Sequence, residues 1–351
     1  MAPSQQKAVL VQSDGFVTLG ETAVPSIGSG QVLVKIVAAA QNPADWKTAL
    51  FAKRAGSVSG CDFAGIVEEI GPDALNSDRT VGERVAGFVH GGLYSNGTFA
   101  EYVVADASFV VRVPDSWTFE EAAQLGIAPF TALQTLYSSL KGLPTPLSPN
   151  TVSPPPSILI SGGASSVGQY LVQFAKLSGM QVLATASGRN AELVKALGAD
   201  IVFDYGQSDV ASQIKDATEG KLMHAVDAIS EVNTVKLVAD ALADEGAVAA
   251  IIIPQDSPRE SVRFIHSLSY KLLGVDFDFP AKNVGTPEQK AEGLRFAKLL
   301  TDILALGEVR PNPVKILPKG LASVPEGFEL HRTGKVSGQK ITYRIADTPE
   351  S

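Results

Sequence analysis

The sequence predicts an α/β protein in two parts: a strand-rich part built from both chain ends, and a doubly wound parallel sheet inserted between them. Short β-branched strands between Gly, Pro and Asn turns fill roughly the first 120 residues. Strands and helices alternate from residue 158, which is typical of a parallel sheet covered on both faces. Strand character returns after about residue 285. We expect the strand-rich part to span residues 1–125 and 286–351, and the inserted part to span residues 126–285.

Composition limits the classes of function. The chain has 351 residues and a mass of 36.7 kDa, and 45% of its residues are apolar and 19% charged. This size favours two domains, and this composition can build full hydrophobic cores. The formal charge of −8 argues against general binding of nucleic acid or of an anionic membrane, because both need a positive field.

The cellular compartment is indicated by cysteine usage. Cys61 is the single cysteine and cannot form an internal disulfide, which favours a reducing compartment. The first residues, MAPSQQK, lack the apolar segment of a secretory signal. The longest apolar run, Ala247–Ile253, is far shorter than the ~20 residues that cross a bilayer. We therefore expect a soluble cytoplasmic protein.

The first part is predicted to be a barrel-like β domain, because its short strands follow one another closely. The predicted strands are Val32–Val37, Phe63–Ile70, Arg84–Val89 and Phe99–Val104. From Phe119 to Leu140 the segment is rich in Ala and Leu and predicts one or two helices. The following Lys141–Ser157 contains six prolines and therefore neither helix nor central strand. We expect a surface connector there, with a binding loop as the alternative.

The inserted part is predicted from regular alternation. Its strands are Ile158–Ile160, Val182–Thr185, Ile201–Phe203, Ala225–Ala228 and Ala247–Ile253. The helices between them are Val167–Ser178, Ala191–Leu197, Val210–Ala217 and Asn233–Leu242. A long amphipathic helix, Thr286–Leu306, then precedes strands that run to the end of the chain.

A glycine motif lies between the first strand and the first helix of the inserted part. Aligned on G-x-G-x-x-G, its positions fall on Gly163 for the tight turn, Ser165 for close approach to a pyrophosphate, and Gly168 for helix packing. Ser165 departs from the pattern, but its small hydroxyl fits and can donate to a phosphate oxygen. Because the motif opens a strand–helix series, it predicts a dinucleotide site, with a bare structural turn as the alternative. The predicted contacts are Gly163, Ala164, Ser165, Ser166, Val167 and Gly168.

The end of the next strand indicates which dinucleotide binds. An NAD site has an Asp or Glu there for the ribose 2′-hydroxyl, whereas this chain has Ser187, Gly188, Arg189 and Asn190. Ser187 and Arg189 suit a 2′-phosphate, so the sequence predicts NADPH. Ser187 as a helix cap is a compatible alternative. Tyr205 is a further candidate, beside the same phosphate and the adenine.

These features resemble the medium-chain dehydrogenase/reductase superfamily, in its zinc-free quinone and enoyl reductase branch. The segments that carry the resemblance are Asn42–Lys47, Gly60–Gly65, Val81–Val85, Gly97–Val103, Gly162–Gly168 and Gly334–Lys340. The Pro-rich insert and the NPADWK segment are similar to the trans-acting enoyl reductases that serve fungal polyketide synthases. The resemblance implies a GroES-like β-barrel catalytic domain made from both chain ends, with an inserted Rossmann domain.

The chain departs from the zinc-dependent members of that superfamily. These carry a His-Glu pair in the Gly60–Gly65 segment and a Cys at the position of Asn42, whereas this chain has Cys61 and Asp62. The four-cysteine lobe of a structural zinc is also missing. Too few ligands remain for a tetrahedral site, so we expect no metal and no alcohol oxidation. Asp62 is expected to be structural.

Without a metal, the expected hydride reaction is reduction of an activated C=C bond in an enoyl thioester, an enone or a quinone. The resemblance implies that the segment of Lys47 reaches the cofactor cleft. Lys47 is therefore the first candidate to bind the nicotinamide ribose or a substrate oxygen, or to deliver the proton, with a solvated lysine as the alternative. The cofactor contacts implied beside it are Asn42, Pro43, Ala44 and Asp45.

The resemblance also implies the substrate channel. Its lining residues are Ile127, Ala128, Pro129, Phe130, Thr131, Ala132, Leu133 and Gln134. Thr131 is the polar member of an apolar run and the second catalytic candidate; interdomain helix packing is a compatible role. Backbone contacts with the nicotinamide carboxamide are implied at Ile252 and Ile253, which end a strand, and at Val336 and Ser337, with strand packing as the alternative.

We therefore expect an NADPH-dependent trans-acting enoyl reductase that reduces the α,β-double bond of a polyketide or acyl thioester, with the substrate held on an acyl carrier protein. One alternative is an NADPH:quinone or enone reductase acting on free small molecules, and another is a non-catalytic NADPH-binding protein. Lys53 and Arg54 are candidates to meet the phosphate of a phosphopantetheine arm, unless they form a solvated turn. A monomer is favoured over a dimer formed through a Rossmann edge strand.

Overall fold

The computed structural model describes residues 2–74 and 78–350 and divides the chain into two compact units. Unit 1 comprises Met1–Ile127, Tyr270–Ala305 and Pro311–Ser351. Unit 2 comprises Ala128–Ser269 and Leu306–Arg310. Residues 270–285 pack with unit 1, although the sequence placed a boundary after residue 285, because the Tyr270 ring stacks on His90 of that unit.

The regular elements follow one another along the whole chain. The strands are β1 (Gln5–Val11), β2 (Val17–Ala23), β3 (Gln31–Ala40), β4 (Asp62–Ile70), β5 (Arg84–Phe88), β6 (Tyr102–Asp106), β7 (Val111–Arg112), β8 (Ser157–Ser161), β9 (Gln181–Ala186), β10 (Ile201–Asp204), β11 (His224–Asp227), β12 (Ala247–Ile251), β13 (Val262–His266), β14 (Val314–Ile316) and β15 (Lys340–Arg344). The helices are α1 (Pro43–Ala52), α2 (Phe119–Ala122), α3 (Ile127–Gln134), α4 (Ser166–Leu177), α5 (Ala191–Ala196), α6 (Val210–Ala217), α7 (Val232–Ala241), α8 (Pro287–Ala305) and α9 (Val324–Arg332). No helix of the described residues has the length and apolarity to cross a bilayer.

Unit 1 is built on a sheet of order β14–β15–β3–β4–β5–β7. The long β3 pairs with β4 along most of its length, and also with β6 at Gln31–Lys35 and with β15 at Ala38–Ala40. These pairings are antiparallel, and only the β14–β15 pairing in this sheet is parallel. Strands β1 and β2 form a second antiparallel sheet. Within the core of the unit, the Phe99 and Tyr343 rings meet edge to face at 5.3 Å.

Three local features of unit 1 differ from the sequence prediction. Helix α1 lies in a region that was predicted to hold strands and turns only. The predicted strand Phe99–Val104 begins instead at Tyr102, because the backbone of Phe99 bonds to Val9 and Ser59 rather than to β3. The closing segment contains α9 between its two strands, with a proline in the first turn of that helix, where proline is tolerated.

Unit 2 is a six-stranded sheet of order β10–β9–β8–β11–β12–β13, and every pairing in it is parallel. In order of appearance the strands run 3-2-1-4-5-6, the doubly wound order of dinucleotide-binding domains. The predicted alternation and parallel sheet are confirmed. Strand β12 ends at Ile251, not at Ile253, because the Ile252 amide donates to Ser230 Oγ at 2.9 Å instead of continuing the ladder.

Candidate active site

The turn from β8 to α4 closes tightly around glycines. Gly162 has a φ of 78°, and a Cβ there would lie 2.6 Å from the Ile229 side chain. The turn therefore depends on Gly162 rather than on Gly163, to which the sequence assigned it. A Cβ on Gly163 would lie 3.1 Å from Ala184 Cβ, so this residue packs the loop against the sheet. A Cβ on Gly168 would lie 2.1 Å from the Gly162 carbonyl oxygen, which leaves no room for any side chain.

Ser165 is the N-cap of α4. Its backbone is extended, and its Oγ accepts the Gly168 N–H at 3.0 Å. A hydroxyl that accepts in this way keeps its own hydrogen, which remains able to bond an oxygen of a bound phosphate. The 12-residue α4 also directs the partial positive charge of its N-terminus at this loop. The loop thus has the small residues and the donors that fit the pyrophosphate of a dinucleotide.

The end of β9 presents the residues predicted for the 2′-phosphate. Ser187 precedes a short 3-10 helix, Gly188–Asn190, and its Oγ accepts from Asn190 Nδ2 at 3.1 Å. Arg189 is exposed and makes no ion pair within residues 2–74 and 78–350. Asp204, which is not among the residues predicted for this site, also lies here: its Oδ2 is 3.1 Å from the position of a Cβ on Gly188. The Arg189 cation and the Asp204 carboxylate therefore both lie near the end of β9.

The remaining candidates of the inserted part include exposed, half-buried and fully buried residues. The Tyr205 side chain is 55% exposed just after β10. Ile252 and Ile253 are half-buried and follow the end of β12. In α3, all residues from Ala128 to Gln134 are buried, and Thr131 is among them. Ile127 is half-buried at the start of that helix.

In unit 1, Lys47 lies on α1, whose first turn is fixed by its own side chains. The Asn42 N–H donates to Asp45 Oδ2 at 2.6 Å, and Pro43 occupies the first turn without an unmet donor. Asp45 lies on the buried face of the helix, whereas Lys47 is half-exposed, with its ammonium 5.8 Å from the centre of the Trp46 ring. Within this segment Asn42 and Asp45 are therefore buried, whereas Lys47 is accessible to solvent.

Asn42 and Asp62 are joined by a buried ammonium group. Lys340 Nζ donates to Asn42 Oδ1 at 2.6 Å and to Asp62 Oδ2 at 3.1 Å. The other oxygen of Asp62 accepts the Ile127 N–H at 2.8 Å, so one carboxylate holds both a cation and the start of α3. Asn42 and Asp62 therefore hold the Lys340 ammonium, and Asp62 also holds the start of α3. This geometry agrees with the structural role predicted for Asp62.

Burial shifts the pKa values of the acidic groups in this cluster. It raises the pKa of Asp45 to about 7, against the lowering effect of the Asn42 N–H and the Cys61 thiol. Burial also raises the pKa of Asp62, and the Lys340 ammonium opposes that shift. The pKa of Cys61 is raised well above its usual value by burial and by the Asp45 charge, so its sulfur stays a thiol.

An aromatic pair covers the thiol. Tyr270 Oη lies 3.3 Å from Cys61 Sγ, and the Tyr270 ring stacks on His90 at 3.8 Å. Burial lowers the pKa of His90 to about 4, so the imidazole is neutral near pH 7. Its Nε2 lies 2.9 Å from the Phe279 carbonyl oxygen, to which it donates.

Val336 and Ser337 lie apart from this cluster in sequence, in the half-buried loop between α9 and β15.

Comparison with known proteins identifies the family. Residues 28–115 match the family model of the alcohol dehydrogenase GroES-like domain, and residues 166–278 match that of zinc-binding dehydrogenases. The trans-enoyl reductase ACTTS2 of Alternaria alternata is 36% identical over 357 residues, which cover 97% of this chain and 99% of that protein. The chain belongs to the medium-chain dehydrogenase/reductase superfamily, in its quinone and enoyl reductase branch.

Further similarities extend along the whole chain of this medium-chain dehydrogenase/reductase. The trans-enoyl reductase RAP2 of Pyricularia oryzae is 35% identical over 354 residues, covering 98% of this chain and 99% of that protein. A mycobacterial protein, Rv1454c, solved with NADPH, shares the fold with a TM-score of 0.74 at 22% identity, over 96% of this chain and 99% of that one. The predicted fold class, a GroES-like domain with an inserted Rossmann sheet, is confirmed, and members of this superfamily are nicotinamide-dependent oxidoreductases.

The donor set of this medium-chain dehydrogenase/reductase differs from that of its zinc-dependent relatives. At the positions where those relatives carry a Cys and a His, this chain has Asn42, which bonds the Lys340 ammonium, and Cys61, whose sulfur is protonated. Zinc needs deprotonated ligands that converge on one point. Within the described parts of the chain, no group of three or more His, Cys, Asp or Glu side chains is arranged to hold a metal ion.

Sequence reasoning about this medium-chain dehydrogenase/reductase missed the partners of the buried cluster. In the sequence, Lys340 stands out only as the end of the Gly334–Lys340 motif, and Tyr270 belongs to no predicted motif. Lys340 lies 298 residues from Asn42 in sequence, and no local pattern announces such a pairing. The sequence of its strand, Lys-Ile-Thr-Tyr-Arg, carries a cation at each end and does not mark which of the two is buried.

Proposed function

We propose that this protein is an NADPH-dependent trans-acting enoyl reductase, which reduces the α,β-double bond of a polyketide or acyl intermediate bound as a thioester. The observation that carries this proposal is the similarity, over nearly the whole chain, to two proteins named trans-enoyl reductases. The buried Lys340 ammonium supports the proposal. It bonds Asn42, which stands at the position of a zinc ligand in related alcohol dehydrogenases.

The cofactor is held by unit 2. The loop from Gly163 to Gly168 and the N-terminus of α4 bind the pyrophosphate, and Ser187 and Arg189 bind the 2′-phosphate. Tyr205 flanks the adenine end, and the backbone of Ile252 and Ile253 binds the carboxamide. The presence of NADPH in the solved mycobacterial relative supports this choice of cofactor.

When bound, NADPH would supply the hydride that adds to the β-carbon of the substrate. The protein must then stabilise negative charge on the thioester oxygen and provide a proton for the α-carbon. Lys47 is the group proposed for both tasks, because its ammonium is partly exposed and lies beside the Trp46 ring. Thr131 is proposed to position the acyl chain, as a small hydroxyl within the apolar face of α3.

The decisive experiment follows NADPH absorbance with a short enoyl thioester and with a simple quinone in parallel. We expect thioester-dependent oxidation, which falls 10²–10⁴-fold in Lys47→Ala while NADPH binding is retained. Lys35→Ala is the matched control, because Lys35 is exposed on β3. Turnover of the quinone alone would establish the free-substrate reductase instead. NADPH binding without turnover of either compound, or of the carrier-bound enoyl group, would indicate a non-catalytic binding protein.

The assembly and its location are also proposals. We propose a monomer that acts in the cytoplasm on a carrier-bound substrate; the buried, unpaired Cys61 thiol supports a reducing compartment. Light scattering after gel filtration is expected to give a mass near 36.7 kDa. A doubled mass would instead favour pairing through the free edge of β13.

A further inference from the structure

The turn after β11 lies at the point where the order of the parallel sheet in unit 2 reverses. Strands β8 and β11 are the first and fourth strands of that unit along the chain, yet they are neighbours in the sheet. Dinucleotides bind in the crevice outside the carboxyl ends of the strands at such a switch point. Ser161, Asp227 and Ile251 stand side by side there, in β8, β11 and β12. The phosphate loop, Gly162–Gly168, follows Ser161, and the turn of residues 228–230 follows Asp227.

Ser230 holds this turn in a conformation that serine rarely adopts. Its φ is 58°, in the left-handed region that is uncommon for residues other than glycine, and its side chain is fully buried. Such strain persists only where the surrounding structure enforces it, and it clusters at sites that hold ligands. Glycine would adopt this φ without strain, so the hydroxyl of Ser230 offsets a cost that glycine would avoid.

The Ser230 hydroxyl joins the ends of two strands. It donates to the Asp227 carbonyl oxygen at 2.8 Å and accepts the Ile252 N–H at 2.9 Å. The first bond closes the turn after β11, and the second holds the backbone just past the end of β12. With the Ile252 N–H occupied, the Ile252 carbonyl and the Ile253 N–H are the next backbone groups that can face a ligand. Within residues 2–74 and 78–350, no acceptor bonds the Ile253 N–H.

The same turn also contacts the phosphate loop. The Ala228 N–H donates to the Ser161 carbonyl oxygen at 3.0 Å, at the end of β8. The Ile229 side chain packs over Gly162, where a Cβ would lie 2.6 Å from it. The Ile229 N–H donates to Asp227 Oδ1 at 3.1 Å, which fixes the backbone that carries this side chain. The turn therefore touches the phosphate loop on one side and the end of β12 on the other.

We propose that Ser230 is a positioning residue for the hydride-donating end of the cofactor, because its hydroxyl fixes the Ile252–Ile253 peptide that binds the nicotinamide carboxamide. The Ile252 carbonyl accepts the carboxamide N–H, and the Ile253 N–H donates to the carboxamide oxygen. The contact of the turn with the phosphate loop keeps this peptide at a set distance from the pyrophosphate. This role rests on the proposed function, and within it on the carboxamide contact of Ile252 and Ile253.

Calorimetry with two cofactors tests this role without any substrate. The reduced 3-acetylpyridine analogue of NADPH has a methyl ketone in place of the carboxamide, so it lacks the N–H that the Ile252 carbonyl accepts. We expect the wild type to bind NADPH about fivefold more tightly than the analogue, the effect of one uncharged hydrogen bond. In Ser230→Ala and Ser230→Gly, NADPH binding weakens more than binding of the analogue does, and the preference falls below about twofold.

The two variants separate the hydroxyl from the backbone strain. Both lose the hydroxyl, but Ser230→Gly also relieves the left-handed strain that Ser230→Ala keeps. Equal loss of the preference in both assigns the effect to the hydroxyl, whereas a Ser230→Gly protein that keeps the wild-type preference overturns the proposal. Ser178→Ala is the matched control. Ser178 is a buried serine at the C-terminal end of α4, and its hydroxyl donates to the Phe174 carbonyl at 2.7 Å. This variant is expected to keep the preference.

Single-turnover hydride transfer then separates positioning from a general loss of the site. With whichever alkene or quinone the protein reduces, we expect the rate with NADPH to fall at least tenfold in both Ser230 variants, because a displacement of about 1 Å costs up to ~10²-fold. The rate with the analogue falls less than about threefold. Equal weakening of both cofactors, or a wild type that does not distinguish them, overturns the role of Ser230. A preference that is lost in the variants of a protein without turnover supports this role and contradicts the enzymatic proposal.

Discussion

Lys340 Nζ lies 3.1 Å from Asp62 Oδ2, in an ion pair whose two side chains are 2% and 0% exposed. The pair ties β15, near the end of the chain, to the first residue of β4. Through Asn42 Oδ1 and the Ile127 N–H it also reaches the N-cap of α1 and the start of α3. Lys47, the leading catalytic candidate, lies on α1. The buried Lys340 ammonium therefore helps to fix the helix that carries Lys47.

Breaking this ion pair is expected to destabilise the protein strongly. Lys340→Met leaves the Asp62 carboxylate buried without its cation, and we expect a loss of about 3–5 kcal/mol in the free energy of unfolding. Asp62→Asn in the same chain removes the stranded charge and should restore a large part of that loss. Urea denaturation of the wild type, both single variants and the double variant gives the coupling energy. A double variant as unstable as the sum of the single variants would show that the two groups do not interact.

The buried Asp45 makes the protein less stable as pH rises, whereas most carboxylates in folded proteins make it more stable. Its pKa is raised from 3.8 to about 7 in the folded protein, so between those values the folded chain holds a proton that the unfolded chain has lost. Stability from this group is therefore full below about pH 4 and falls as pH rises to 7, a change of about 4 kcal/mol at 1.36 kcal/mol per pKa unit.

Asp45→Asn removes that dependence and keeps an oxygen for the Asn42 N–H. The difference in unfolding free energy, variant minus wild type, is expected to increase from pH 4 to 7 and to level off above pH 8. The facing groups, Cys61, Asp62 and Lys340, are common to both proteins. His90 and His331, whose pKa values are lowered to about 4, contribute the opposite slope to both and cancel. Asp115→Asn, at an exposed position, is the control; a flat difference for Asp45→Asn would mean that Asp45 is ionised in the folded protein.

The phosphate loop is expected to tolerate no side chain at Gly168. The Cβ of Gly168→Ala would lie 2.1 Å from a backbone oxygen, so the loop or α4 must move. We expect NADPH affinity, measured by quenching of protein fluorescence, to weaken more than tenfold. Gly87→Ala is the control, since its Cβ meets neighbours at an ordinary 3.5 Å. Circular dichroism shows whether the variant is folded, and a folded Gly168→Ala protein with unchanged affinity would contradict the assigned role of this turn.

The inserted sheet was predictable from sequence because its signals are local. Each strand is a short apolar run and each helix between them is amphipathic, so alternation alone gave the parallel topology. Helix α1 was missed although Asn42, Pro43 and Asp45 form a helix-start pattern, because the surrounding strands dominated the prediction. The cluster of Lys340, Asp62 and Tyr270 depends on pairing between distant segments, which no periodicity encodes. The acid Asp204 was adjacent to Tyr205 in sequence, but only the fold brings it beside Gly188.

Cofactor preference tests the two opposite charges at the end of β9. Arg189→Ala is expected to raise KM for NADPH about 10–100-fold and to leave KM for NADH within about twofold, because only the 2′-phosphate receives its charged hydrogen bond. Asp204→Asn removes a nearby negative charge and is expected to lower KM for NADPH a few-fold, since charges several ångströms apart in water interact by less than about 1 kcal/mol. Initial rates with both cofactors measure these changes. An equal rise for NADPH and NADH in Arg189→Ala would assign that residue to a part of the cofactor common to both, and a wild type that prefers NADH would show that Asp204 rather than Arg189 selects the cofactor.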